Sequence, residues 1–120
     1  MTAPLAVPIT VELRAEPATV TAATRAQFMV GFTVRNLGTE VLDPQLDLSE
    51  LRVNGALATA WNMALMNSGH ERKWRALPPS DTVSGRWRLA AELFPEPGDY
   101  TLVLTVSGVT SAAVDVHVTP

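Results

Sequence analysis

The feature that most constrains this chain is a period of two in its apolar residues, which recurs in separate segments. These segments are ITVELRA (9–15), FMVGFTV (28–34), YTLVLTV (100–106) and AVDVHV (113–118). Successive side chains of a β-strand point to opposite faces of a sheet, so the alternation predicts strands with one buried face. The residues predicted to face the interior are Ile9, Val11, Leu13, Phe28, Val30, Phe32, Val34, Tyr100, Leu102, Leu104, Val106, Val114, Val116 and Val118.

Turn-forming residues separate the predicted strands. Asn54-Gly55, between LRV and ALATAW, is a strong signal for a β-hairpin with a two-residue loop. Pro97-Gly98 suits the centre of a type II turn, because glycine adopts the positive φ that this turn needs. Together these signals predict short strands joined by tight turns.

The last two predicted strands are joined by the turn sequence SGVT. A slip of one residue in their pairing would exchange every side chain between the core and water. A three-residue loop at 108–110 avoids that slip, and we therefore expect it. The expected cross-strand pairs are Leu104 with Val114, Leu102 with Val116, Val103 with Asp115 and Thr101 with His117.

Residues 56–69 (ALATAWNMALMNSG) fit two kinds of element. A strand would turn Leu57, Trp61, Met63 and Leu65 inward. A short helix would instead place Leu57, Trp61, Ala64 and Leu65 on one stripe and end at Gly69. We favour the strand because every neighbouring segment is predicted to be one.

The whole pattern predicts an all-β protein. About seven to nine short strands, with turn signals at short intervals and no long helix, are typical of an antiparallel β-sandwich. The chain of 120 residues has the size of one domain and is 47% hydrophobic, enough for a core of its own. We expect an N-terminal tail at residues 1–8 and a single domain at 9–120.

The segment PGDYTLVLTV resembles the strand of immunoglobulin-like domains that follows a corner of the chain. The resemblance implies that Tyr100 hydrogen-bonds back across that corner. The cysteine pair of many such domains is missing, and Leu102 stands where the second cysteine would fall. With FTVRNLGTEV, RVNGALATAW and WRALPPSDTVSGRWRL, residues 9–119 resemble bacterial immunoglobulin-like domains of the intracellular proteinase inhibitor type. The resemblance implies an immunoglobulin-like sandwich that binds a protease.

Composition argues against several kinds of chemistry. The chain has no cysteine and two histidines, so neither a disulfide framework nor a structural zinc site is expected. No calcium-loop or phosphate-loop motif occurs, and we expect no metal and no cofactor. Asp115 and His117 share a strand face, but such a pair occurs in many small β proteins and does not indicate a catalytic triad. We therefore expect a protein that is not an enzyme.

The N-terminal segment MTAPLAVPITVELRAEP lacks the basic and apolar regions of a signal peptide. No segment has the run of about 20 apolar residues that crosses a membrane. We expect a cytoplasmic protein without membrane contacts, or a secreted one if a leader has been removed.

The stretch HERKWRALPPSDTVSGRWRL (70–89) holds two of the three tryptophans and five of the nine cationic residues. We expect ERKWRA and VSGRWRL to form a hairpin that pairs Ala76 with Val83, Lys73 with Arg86 and Glu71 with Arg88. Both tryptophans would then face the core. The outward cations would form either a solvated face or a docking patch; they are Lys73, Arg75, Arg86 and Arg88.

The like-charged pair in this hairpin would cost a few tenths of a kcal/mol unless something offsets it. Water and salt, a carboxylate from the acidic segment EVLDPQLDLSE (40–50) or an anionic partner could do so. Nucleic acid is not expected, because the net charge is −3 and the aromatic rings point inward.

Two loops contain prolines: ALPPSDT and LFPEPGD. Proline restricts a loop before it binds and so lowers the entropy lost on docking, although it can also simply end a strand. The candidate binding loop consists of Pro78, Pro79, Ser80 and Asp81. In an immunoglobulin-like topology, loop 77–82 would share one end of the sandwich with 36–47 and 108–110, and 94–99 would share the other with 67–70.

These features predict a non-catalytic protein-binding module, with proteinase inhibition through the proline loop as the specific hypothesis. The alternative is a structural or accessory subunit of a larger assembly, bound through its sheet edges and through the face that carries the outward arginines. Such a subunit could also self-associate.

Overall fold

The computed structural model describes residues 7–67 and 71–120. The strands within these residues are β1 (Ile9–Glu16), β2 (Thr19–Val20), β3 (Met29–Asn36), β4 (Glu50–Val53), β5 (Ala56–Leu57), β6 (Thr82–Trp87), β7 (Gly98–Val106), β8 (Val109–Thr110) and β9 (Val114–Val118). The α-helices there are α1 (Thr59–Met66) and α2 (Ala90–Leu93), and 3₁₀ turns occur at Arg25–Gln27, Leu46–Leu48 and Arg72–Trp74. None of the helices in the described ranges is long and apolar enough to span a membrane.

Two sheets form the protein. The first has the order β1-β3-β6 and is antiparallel throughout. The second has the order β2-β9-β7-β4-β5, with β8 also paired to β7 and β2 running parallel to β9. The inner faces of the two sheets enclose one core, and the predicted all-β sandwich is confirmed.

The alternation places the interior residues as predicted. The four predicted inward residues of FMVGFTV are buried, as are Leu102, Leu104 and Val106. Val11, Tyr100 and Val114 are partly buried and pack against that core. The period of two therefore separates the dry face of each strand from its wet face.

The predicted loop at Asn54-Gly55 is confirmed. Val53 pairs with Ala56, and the two loop residues have φ of 50° and 84°. Positive φ at both positions defines the type I′ turn, whose twist matches that of the flanking strands.

The three-residue loop predicted at 108–110 is wrong. Ser107 and Gly108 form a two-residue turn with φ of 49° and 80°, and Val106 pairs with Val109. The surplus residue lies instead between β8 and β9, where Ser111 exchanges backbone and side-chain hydrogen bonds with Leu104. This bulge shifts the later pairs, which are Leu102 with Val114, Thr101 with Asp115, Tyr100 with Val116 and Asp99 with His117. The shift from the expected register is two residues, so every side chain keeps its predicted face.

The preference for a strand at 56–69 is wrong for most of that segment. Only Ala56–Leu57 is a strand, and α1 follows it. Trp61 and Leu65 lie one helical turn apart and are both fully buried, and the Trp61 Nε1–H donates to Ser49 Oγ at 3.0 Å. After β5 the chain leaves the second sheet and later joins the first sheet at β6, and on the way it packs against the core as a helix. Gly69, the predicted end of the helix, lies outside the described residues.

The hairpin predicted between ERKWRA and VSGRWRL is also wrong. Residues 72–74 form a 3₁₀ turn, and β6 pairs with β3 instead. The interior positions of the tryptophans are confirmed, since Trp74 is buried and Trp87 packs on the core. Gly85 makes room for Trp87, because a Cβ there would lie 2.8 Å from the Trp87 ring atom Cη2.

Tyr100 makes the hydrogen bond that the immunoglobulin resemblance implied. Its hydroxyl donates to the backbone oxygen of Glu96, across the corner that precedes β7. The ring also packs on Phe94, with 4.7 Å between the ring centroids. This corner anchors the start of the longest strand.

Candidate functional site

The predicted binding residues lie in two separate places. Lys73, Arg75 and the loop 78–81 are at one end of the sandwich, beside the loop that follows β3. Arg86 is on the outer face of the three-stranded sheet, and Arg88 is exposed just beyond β6. The four cations predicted to share one face of a hairpin are therefore in two separate places.

Hydrogen bonds hold the proline loop in a tight turn. The Asp81 N–H donates to the Pro78 oxygen at 3.2 Å, and Ser80 has a φ of 66°. Proline at the second position and a positive φ at the third are the features of a type II turn. The Ser80 N–H also donates to the Asn36 oxygen at 2.9 Å, and the Asn36 N–H donates to the Asp81 oxygen at 3.0 Å.

The side chain of Asn36 joins this turn to the neighbouring loop. Asn36 is fully buried, and its Nδ2 donates to the backbone oxygens of Glu40 at 2.8 Å and Leu77 at 2.9 Å. Its Oδ1 accepts from the Gly38 N–H at 2.8 Å. One amide therefore satisfies backbone groups from two loops, and Leu77 lies 41 residues from Asn36 along the chain.

We call residues 37–41 and 78–81 together the tip. The tip exposes two large apolar side chains, Leu37 at 58% and Val41 at 60%, and Pro79 in its other loop is also exposed. From the sequence, the proline loop was predicted as a binding loop and residues 36–47 were predicted at the same end of the sandwich, but Asn36, Leu37 and Val41 were not predicted as binding residues. The available signal was Asn36 itself, a polar residue at the inward position that follows Phe32 and Val34 in the alternation.

Acidic residues neighbour the cations at this end. Lys73 Nζ lies 3.7 Å from Asp81 Oδ1, and an Arg75 guanidinium nitrogen lies 3.5 Å from Asp47 Oδ2. The second pair uses a carboxylate from the acidic segment 40–50, one of the sources considered for offsetting the positive charge. Exposed ion pairs of this kind contribute about 0–1 kcal/mol each, so they shape the surface without stabilising it much.

A shallow cleft of about 520 Å³ lies on the outer face of the three-stranded sheet. Arg14 of β1 and Arg86 of β6 flank Gly31 of β3 in one cross-strand row. The predicted contact of Lys73 with Arg86 does not form, because Arg86 pairs with Gly31 of β3 and Lys73 lies in the 3₁₀ turn at 72–74.

Two side-chain contacts connect β7 with β9. His117 Nδ1 contacts an Asp99 carboxylate oxygen, and the Thr101 hydroxyl donates to Asp115 at 2.9 Å. In the described part of the chain, no group of three or more His, Cys, Asp or Glu residues is arranged to hold a metal ion.

Comparison with known proteins places the fold in a class. No protein-family model matches the sequence, and no curated protein does. The solution structure of the CARDB domain of PF1109 from Pyrococcus furiosus superposes with a TM-score of 0.54 and 17% identity, over 92% of this chain and 94% of that one. A crystal structure of that domain in complex with di-metal ions gives a TM-score of 0.54 and 19% identity, over 92% and 87%.

The chain therefore has a CARDB-like fold, which is an immunoglobulin-like β-sandwich. The superposition extends over most of both chains, so the likeness is one of the whole fold.

Proposed function

We propose that the protein is a non-catalytic module that binds another protein through the tip. The proposal rests on one observation: hydrogen bonds of Asn36 join the two loops of the tip, and these loops expose Leu37, Val41 and Pro79 to solvent. Loops positioned by a rigid scaffold are frequent binding sites in proteins.

The energetics of binding support this use of the tip. The tip is ordered before binding by backbone hydrogen bonds and by Asn36, so docking freezes few further degrees of freedom. Apolar side chains that lose water at the centre of an interface contribute much of its affinity. The ion pairs of Lys73 and Arg75 lie close by and would form part of a polar rim.

A protease is the partner that the sequence resemblance implies. The loop 78–81 is a closed turn, whereas a peptide that adds to a protein as a strand has to be extended. We therefore propose that a protease partner is bound outside its substrate cleft, and that the peptide bonds of the loop stay uncleaved in the complex.

The first experiment tests binding through the tip. The double variant Leu37→Asp with Val41→Asp should lose the partner that the parent captures from an extract of the source cells. The matched control is Leu57→Asp with Met63→Asp, because these residues are 55% and 61% exposed on another part of the surface. We expect the control to keep the partner; equal capture by both double variants would contradict a role for the tip.

The second experiment tests the class of partner. The protein is mixed at equal concentration with purified bacterial proteases, and residual activity and complex formation are measured. A protease partner predicts a complex that Pro79→Gly with Asp81→Ala weakens, since these changes release the turn. If no protease binds while the first experiment succeeds, the inhibitor hypothesis is wrong and the binding module stands. Oligomers that grow with concentration in light scattering would instead favour the alternative of an assembly subunit.

A further inference from the structure

A second surface, distinct from the tip, has the chemistry of a site for carboxylates. We call it the Gly31 cleft; its lining on the outer face of the three-stranded sheet includes Arg14, Glu16, Gly31, Thr33, Ser84 and Arg86. The cleft opens to solvent and has a volume of about 520 Å³.

Glycine makes the floor of this cleft. A Cβ on residue 31 would lie 2.7 Å from the Gly85 oxygen and 2.9 Å from the Arg86 Cβ, closer than atoms can approach. Position 31 therefore has only backbone, on the central strand of the sheet. Neighbouring strands lie about 4.8 Å apart, so the Cα atoms of the two flanking arginines are about 10 Å apart, with the central strand between them.

The two arginines can still bind an acidic ligand. Arg14 donates one hydrogen bond to Glu12, at 2.6 Å, and a guanidinium has five N–H groups. Arg86 is exposed, and it makes no ion pair within residues 7–67 and 71–120. The hydroxyls of Thr33 and Ser84 form the next cross-strand row and add neutral donors.

The charge of this face is opposite to that of the whole protein. Arg14, Arg35, Arg86 and Arg88 outnumber the glutamates at this face, Glu12 and Glu16, although the chain has a net charge of −3. A local excess of positive charge raises the rate of encounter with acidic partners. The residues that line the cleft include no exposed aromatic ring for base stacking, which disfavours nucleic acid.

We propose that the Gly31 cleft binds an extended acidic segment of a partner protein. The arginines hold carboxylates that are spaced along the segment, because a guanidinium matches a carboxylate with two parallel hydrogen bonds. This contact is independent of the tip, so one module would hold its partner at two places or hold two partners.

The probe is a synthetic peptide of about nine residues that alternates glutamate and threonine, which puts its carboxylates on one side when it is extended. Its affinity is measured by fluorescence anisotropy for the parent, Arg14→Gln, Arg86→Gln and the control Arg52→Gln. Arg52 is an exposed arginine of the other sheet, on β4. We expect each cleft variant to weaken binding about tenfold, salt to weaken it further, and the control to match the parent.

Three outcomes would overturn the proposal. The first is equal loss in Arg52→Gln, which would mean non-specific attraction. The second is equally tight binding of a single-stranded oligonucleotide that the same cleft variants abolish. The third is a dimer of the protein alone that Arg86→Gln dissolves, which would identify a second copy as the occupant. The tip variant Leu37→Asp with Val41→Asp should bind the peptide like the parent, so failure of the tip and failure of the cleft are separable.

Discussion

Asn36 shows how one buried polar residue can organise a surface. It ends β3 with its side chain turned into the sandwich, at a position where the alternation would place an apolar residue. A buried amide is stable only when its donors and acceptor are satisfied, and here the backbones of Gly38 and Glu40, in one tip loop, and of Leu77, next to the other, satisfy them. The geometry of the tip therefore depends on this residue.

We expect Asn36→Ala and Asn36→Asp each to lower the free energy of unfolding by about 2–4 kcal/mol. Alanine leaves buried backbone groups unpaired, and aspartate keeps the shape but replaces two donated hydrogen bonds with a buried negative charge. Urea denaturation measures the loss, and amide hydrogen exchange should accelerate in residues 37–41. Arg35→Ala, at an exposed neighbouring position, should change stability by less than about 0.5 kcal/mol. Full stability of Asn36→Asp would contradict this account.

At the scale of elements, α1 is the segment whose type depends on long-range packing. Both interpretations of residues 56–69 put Leu57, Trp61 and Leu65 inward, which is wrong for Leu57, since it is 55% exposed. They differ at Met63, which the strand would bury, and at Ala64, which the helix would turn inward. In the structure, Met63 is exposed, and Asn62 donates to the Ser49 backbone oxygen at 2.8 Å. The helix fits because Trp61 Nε1 reaches Ser49 Oγ, and Ser49 Oγ in turn donates to Leu46.

The helix makes a prediction that the strand would not. Leu65→Ala should cost about 2–5 kcal/mol, since it removes a fully buried side chain from the core. Met63→Ala should change the free energy of unfolding by less than about 0.5 kcal/mol. Thermal or urea denaturation of both variants tests this pair, and a large loss in Met63→Ala would favour the strand.

At the scale of the whole molecule, the tryptophans connect the crossover segments to the sheets. Phe32 of β3 contacts Trp61, Trp74 and Trp87, with ring centroids 6.0, 5.7 and 5.9 Å away. Trp61 and Trp87 also meet edge to face at 5.2 Å. Helix α1, the 3₁₀ turn at 72–74 and β6 therefore share one aromatic cluster, and each element loses packing if another leaves.

This shared cluster predicts a single cooperative unfolding transition. Tryptophan fluorescence reports the cluster, and far-UV circular dichroism reports the strands of both sheets. We expect the two signals to give the same midpoint and slope in urea. An earlier fluorescence transition would show that the crossover segments separate from the sandwich before it unfolds.

The positions that face the core could be predicted from the chain alone, because the side-chain period of a strand is a local property of the backbone. Phe28, Val30, Phe32 and Val34 are buried for that reason, and Asn54-Gly55 turns for an equally local one. The proline loop was predicted in the same way, from residues that restrict φ.

Which segments pair, and which surfaces they form, depends on contacts between distant parts of the chain. ERKWRA and VSGRWRL have a self-consistent pairing, yet β6 pairs with β3, where Trp87 stacks on Phe32 and Gly85 makes room for its ring. That choice separates Lys73 from Arg86 and brings Arg86 beside Gly31. The two-residue turn and the one-residue bulge near Ser111 together give a last register that differs by two from the expected one, and the period of two cannot detect such a difference. Local sequence determines which face of a strand a side chain occupies, whereas the packing of the assembled sheets determines which side chains lie next to it. Both candidate binding surfaces combine residues from distant parts of the chain, so they depend on that packing.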